Sequence, residues 1–240
     1  MRDKLFRRKK RLVNDFRFGK ETAAVFDDML DRSVPFYGEF QRMMVEMAAD
    51  FAVDDTNLYD LGCSTGNTLL LLDDAVSKSV RFIGIDASSD MLARAKEKLR
   101  AHGMKRACEF LCADLNQEFQ LSNASVVIMV LTLQFIRPLY RHQLMKRIVE
   151  GLNEQGCLIL VEKVLHEDSM LNRLFIKHYY AFKERQGYSK LEIAQKREAL
   201  ENVLVPYRLE ENQELILSSG FRQCSAFFKW YNFCGLIAVK

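Results

Sequence analysis

Asp60-Leu61-Gly62-Cys63-Ser64-Thr65-Gly66 decides how this chain is read. An apolar run precedes it and an amphipathic run follows. That is the context of the turn between the first strand and first helix of an α/β domain. Glycines there let a ligand approach the backbone. The spacing argues against one ligand class. A dinucleotide fingerprint, G-x-G-x-x-G, starting at Gly62 needs glycines at 64 and 67, where the chain has Ser64 and Asn67. A carboxylate at Asp60 favours a nearby cation and disfavours a pyrophosphate. S-adenosylmethionine has an ammonium, a sulfonium and no phosphate, and suits that turn.

Outward from the turn, strand and helix alternate. Asn57 to Leu61 reads as strand one and Thr68 to Val76 as the first helix after it. Val80 to Ile85 is strand two, ending at Asp86. Ser88 or Ser89 caps the helix Met91 to Ala101. Cys108 to Cys112 is strand three, followed by Asp114 and Leu115. Ser125 to Leu131 is a near-continuous apolar run, as expected of a strand covered on both faces. A helix, Tyr140 to Leu152, leads to strand five, Cys157 to Val161. The rhythm then breaks into charged, aromatic, helical sequence. A helix near Asn212 to Ser219 precedes two last runs, Gln223 to Lys229 and Phe233 to Val239. Their short link allows an antiparallel hairpin and no crossover helix. This is a Rossmann-like α/β layout of the class I methyltransferase type, with a mostly parallel seven-stranded sheet. The chain reads as one domain, with an N-terminal helical cap over 1–52 and a helical insertion over 165–212.

Three acids fall at successive strand ends. Asp86 suits the ribose hydroxyls of an adenosine. Asp114 suits the adenine amino group, with the Leu115 amide donating to a ring nitrogen. Open α/β sheets bind ligands along that edge.

The 240 residues are 49% hydrophobic and carry a net charge of +3, enough for one core and too nearly neutral to imply a nucleic-acid partner. Arg7-Arg8-Lys9-Lys10-Arg11 reads as a solvated, frayed terminus, and direct tRNA binding is not expected. The charged start has no apolar core of a secretory leader, and no stretch suits a bilayer, so a cytoplasmic location is expected. The six cysteines are scattered, without zinc-site spacing, and no metal is expected. Cys63 reads as a small spacer, since no histidine adjoins it. Arg197 alone reads as one arginine on a charged helix.

Four stretches resemble the carboxy-S-adenosylmethionine synthases. They are Arg32-Ser33-Val34-Pro35-x-Tyr37, the turn from Tyr59 to Gly66, Thr132-Leu133-Gln134-Phe135, and Gly187-Tyr188-Ser189-x-Leu191-Glu192-Ile193-x-Gln195-Lys196-Arg197. The similarity runs from about Asp3 to the C-terminus. It implies a reaction of S-adenosylmethionine with prephenate, giving carboxy-S-adenosylmethionine, phenylpyruvate and water. Prephenate aromatises, losing its ring carboxyl and hydroxyl. The released base deprotonates the sulfonium methyl, and the ylide captures carbon dioxide. The product serves a partner enzyme that carboxymethylates the tRNA wobble uridine. By the same resemblance Tyr37 contacts the cofactor, and Gly62, Cys63 and Ser64 line its methionine end. Asp86 with Ala87 holds the ribose, and Asp114 with Leu115 holds the adenine. Arg197 grips the new carboxylate through paired, charge-assisted hydrogen bonds. The family forms homodimers, with the insertion as the expected interface.

One position departs from the pattern. Members of the family have an asparagine in strand four that contacts the cofactor, and the aligned residue here is Val130. Thr132 or a backbone carbonyl is then needed as a substitute. A missing partner for the ammonium costs about 1.5–3 kcal/mol. The alternatives are an ordinary methyltransferase and a non-catalytic cofactor-binding protein. No N-P-P-Y acceptor motif follows strand four, which weighs against the first.

Overall fold

The computed structural model describes residues 1–240. Seven strands form one sheet: β1 (Asn57–Leu61), β2 (Arg81–Asp86), β3 (Cys108–Cys112), β4 (Ala124–Val130), β5 (Leu152–Lys163), β6 (Gln223–Trp230) and β7 (Phe233–Val239). Their order is β3-β2-β1-β4-β5-β7-β6. The first five are parallel, and β7 runs antiparallel between β5 and β6. Eight helices surround them: α1 (Lys20–Ser33), α2 (Tyr37–Phe51), α3 (Asn67–Leu72), α4 (Ser89–Ala101), α5 (Pro138–Gly151), α6 (Ser169–Arg185), α7 (Lys190–Leu200) and α8 (Leu209–Ser218).

Strand side chains alternate between two cores. Leu58, Phe82, Val126 and Ile128 pack under Met44 and Ala48 of α2 and Leu69 of α3. Tyr59, Ile83, Val127 and Met129 pack against Leu144 and Ile148 of α5 and Ile216 of α8. Burying each large side chain stabilises the fold by roughly 1.5–3 kcal/mol. The expected mostly parallel seven-stranded sheet, closing hairpin and double covering are all present.

The boundaries differ where tertiary contacts intervene. α3 stops at Leu72 rather than Val76. The Arg106 guanidinium takes over the carbonyls beyond it, donating to Val76 O at 2.6 Å and Ser77 O at 2.8 Å. β5 starts five residues before Cys157, because Leu152 pairs with Ala124 ahead of a register shift. α8 begins at Leu209, inside the expected insertion. The insertion leaves and returns at one neck, where Leu165 bridges Arg208.

The N-terminus is not frayed. Arg7 to Arg11 are exposed, but Asp3, Phe6 and Phe16 are buried. Tyr188 Oη donates to Asp3 Oδ2 at 2.7 Å. Gln195 Nε2 donates to Phe6 O at 2.8 Å and Arg8 O at 3.0 Å, and its oxygen accepts from the Lys10 amide at 2.7 Å. Phe6 and Phe16 join Phe26 and Met29 of α1 and Ala199 of α7 in one cluster. The arm thus straps the cap to the insertion.

Candidate active site

The sheet order sets the chemistry along its carboxyl edge. From β3 through β2, β1 and β4 to β5, the strand ends present Asp114, Asp86, Asp60, Val130 and Lys163. All five line one cavity of about 300 Å3, roofed by the cap and the insertion. Tyr37, Gly62, Cys63, Ser64, Ala87 and Leu115 line it too.

The glycine turn is built by close approach. Gly62 has φ +79°, and a Cβ there would collide with the Thr132 side chain. Gly66, at φ +73°, starts α3 with no room against Leu99 and Ala95 of α4. Asp86 fixes the turn: its carboxylate accepts from the Ser64 amide at 2.9 Å and the Ser88 amide at 2.8 Å. Asp114 accepts from the Asn116 amide at 2.9 Å through Oδ1. The Cys63 thiol packs against Gly84 within the β2–α2 core, and burial pushes its pKa well up, which disfavours the thiolate.

Asp60 is 2% exposed, and its Oδ2 has no hydrogen-bond partner. Burial, then the charge on Asp86, pushes its pKa up to about 8. Gln134 Oε1 is a second buried, unpartnered acceptor on the same wall. Two orphaned acceptors lining one cavity suit a ligand rich in hydrogen-bond donors, a class that includes an amino-acid ammonium. Tyr37 stands nearby, accepting from Asn67 Nδ2 at 3.2 Å, and burial pushes its hydroxyl up to about 12.

Several positioning groups were not singled out in the sequence. Glu162 is buried and accepts from the amides of Thr132, Leu133 and Gln134 at 3.0, 2.8 and 3.1 Å. It orients the whole Thr132–Phe135 turn. Asp27 of α1 accepts from Thr65 Oγ1 and Lys98 Nζ, both at 2.6 Å, and latches the cap onto the glycine turn. Thr132 Oγ1 donates to Val130 O at 3.1 Å, so its proton is already committed. Its oxygen keeps acceptor capacity, which is what an ammonium needs where the asparagine is missing.

The Arg32–Tyr37 stretch and the Gly187–Arg197 block meet. Arg32 donates to Gln186 O at 2.9 Å and lies 4.1 Å over the Tyr188 ring. Ser33 Oγ donates to Tyr188 Oη at 3.4 Å. Ser189 and Glu192 form a reciprocal capping box that starts α7. The helix then turns Lys196 into the cavity and leaves Arg197 exposed, outside the cavity lining of its own chain. Of the sequence-derived site residues, only Arg197 is absent from that wall.

No helix is long and apolar enough to cross a membrane. No group of three or more His, Cys, Asp or Glu side chains is placed to hold a metal.

Residues 58–156 match the methyltransferase domain family. The fold is similar to human N-acetylserotonin methyltransferase, a structure in complex with S-adenosylmethionine. That match has a TM-score of 0.60 and 14% identity, and covers 92% of this chain and 55% of that one. The carboxy-S-adenosyl-L-methionine synthase of Methylococcus capsulatus is 56% identical over 240 residues, covering 100% of this chain and 99% of that protein. The synthase of Nautilia profundicola is 43% identical and covered fully in both directions. A likeness of that extent spans the cap, the glycine turn and the insertion together, and the chain belongs to the carboxy-S-adenosyl-L-methionine synthase family.

Proposed function

We propose that this protein converts S-adenosylmethionine and prephenate to carboxy-S-adenosylmethionine, phenylpyruvate and water. The observation that carries the reading is the 56% identity over the full length, which includes the Gly187–Arg197 block. In this reading Asp114 and Leu115 hold the adenine. Asp86 and Ala87 hold the ribose through the acceptor capacity that Ser64 and Ser88 leave free. Asp60 and Gln134 accept from the ammonium, and Tyr37 closes the methionine end. The cap and insertion exclude water, so that carbon dioxide stays beside the activated methyl.

The working unit is a homodimer. The insertion leaves Met170, Leu174 and Leu191 exposed, which is the chemistry of a covered face. Arg197, exposed on the same insertion, reaches the new carboxylate from the neighbouring subunit. The protein acts in the cytoplasm, and its product passes to an enzyme that carboxymethylates the tRNA wobble uridine.

Mass spectrometry tests the reaction. Purified protein incubated with S-adenosylmethionine and prephenate should release a ligand heavier by the mass of carbon dioxide. Unchanged S-adenosylmethionine as the sole ligand refutes the reading. Arg197→Leu should lose about 10- to 100-fold of its preference for the carboxylated ligand, the worth of a charge-assisted pair.

A further inference from the structure

Three lysines gather at the β5 end of the cavity, each on a different element. Lys163 ends β5, Lys183 lies in α6 and Lys196 in α7. Two of them stand against the Tyr179 ring, with Lys163 Nζ 5.3 Å and Lys183 Nζ 4.5 Å from its centroid. Lys183 Nζ also stands 4.9 Å from the centre of Tyr180. Lys196 Nζ donates to Ser33 Oγ at 3.3 Å. Lys163 and Lys196 line the cavity, and Lys183 is buried outside its lining, against the Tyr179 ring.

None of the three has a carboxylate partner; every ion pair in the chain involves other residues. Burial lowers Lys163 and Lys196 to about 8 and Lys183 to about 7. At Lys183 the charges of Lys196, Lys163 and Arg197 add to that burial. Only Asp3 pulls Lys196 the other way. Buried cations without an anion are costly, and repelling one another makes them more so. Such a cluster on a cavity wall is stabilised when a ligand brings the missing negative charge. The remaining wall is apolar and aromatic: Tyr37, Val130, Tyr179 and Phe233.

We propose that Lys163 and Lys196, with Lys183 behind them, are the receptor for the 2-oxo acid carboxylate of the second substrate, whose ring packs against the aromatic wall. The proposal rests on the prephenate reading above, and it selects between the two carboxylates of that substrate. The ring carboxylate must leave as carbon dioxide, giving its bonding electrons to the aromatising ring as hydroxide departs. A cation gripping it would stabilise the charge that has to be lost. The 2-oxo acid carboxylate survives into phenylpyruvate, so a tight ionic grip there does not oppose the chemistry. Lys163 and Lys196 touch substrate in this arrangement, and Lys183 is a positioning residue.

Calorimetry with phenylpyruvate tests the receptor without turnover. The full chain is saturated with S-adenosylhomocysteine and titrated. Lys163→Met and Lys196→Met should each weaken phenylpyruvate about 10- to 100-fold, the worth of a charge-assisted contact. Lys163→Arg should recover most of the loss. Lys105→Met, an exposed charge elsewhere, should change nothing. Should Lys163→Met fold poorly, Lys196→Met and Lys163→Arg carry the test. Equal affinity in wild type and both methionine variants overturns the receptor. So does a wild type that binds neither phenylpyruvate nor malonate. Prephenate turnover is measured separately on wild type. Its absence removes the synthase reading, while malonate or phenylpyruvate binding lost in both variants still identifies the lysines as a carboxylate receptor.

Discussion

The two ends of the cavity rest on different kinds of scaffold. The acidic end stands on β1, β2 and β3, whose ends are fixed by ladder hydrogen bonds and by Asp86 holding two amides. The cationic end draws on β5, α6 and α7, and two of those elements belong to an insertion joined at one neck. The rigid end carries carboxylates for a cationic nucleoside. The end built on the insertion carries lysines for an anion. One cavity can therefore bind oppositely charged molecules side by side, because the sheet edge changes sign at Val130.

Three changes would break or sharpen that contrast. The largest effect is expected from Asp60→Asn, which keeps the shape and removes the charge facing the ammonium. S-adenosylmethionine should bind about 10- to 100-fold more weakly by calorimetry, while phenylpyruvate affinity stays within about twofold. Equal losses for both ligands would mean the two ends are not separate sites.

The pH response should have opposite signs at the two ends. Asp60, raised to about 8, becomes charged as pH climbs, so S-adenosylmethionine affinity rises between pH 6 and 7.5. Lys183 and Lys163, lowered to about 7 and about 8, lose their protons as pH climbs, so phenylpyruvate affinity falls from pH 6.5 to 9. Each trend is bounded at about tenfold per pH unit for one proton. Parallel trends would contradict the assignment of charges.

The smallest effect is expected at the boundary. Val130→Asn adds one polar partner between the ends, and S-adenosylmethionine should tighten about three- to tenfold by the same titration. No gain would indicate that Asp60 and Gln134 already satisfy the ammonium.

The same contrast explains what was legible in the sequence. Asp60, Asp86 and Asp114 each follow an apolar strand, so strand periodicity and the edge rule locate them together. The lysines belong to three elements far apart in the chain, and lysine is the commonest kind of exposed residue. Nothing local links them. One signal did exist in α7. Ile193, Lys196 and Ala199 share a face at helical spacing, and Arg197 lies off it. The basic run at Arg7–Arg11 concealed the buried arm, because its anchors, Asp3, Phe6 and Phe16, lie outside the charged stretch. The Tyr188–Asp3 and Gln195–Phe6 bonds pair positions with no periodic relation.

That strap has a kinetic consequence. Asp3 and Tyr188 are 185 residues apart in the chain. The arm cannot dock until nearly all of the polypeptide has been made, and closing so long a loop is entropically late. The acidic edge on β1, β2 and β3 lies wholly ahead of Tyr188 in the chain and assembles without the arm, whereas β6 and β7 follow Tyr188. The roof over the lysines therefore closes after the acidic edge, and native-state hydrogen exchange is expected to show it opening more readily than β1, β2 and β3. Its opening frequency sets how often the cavity exchanges its contents with water.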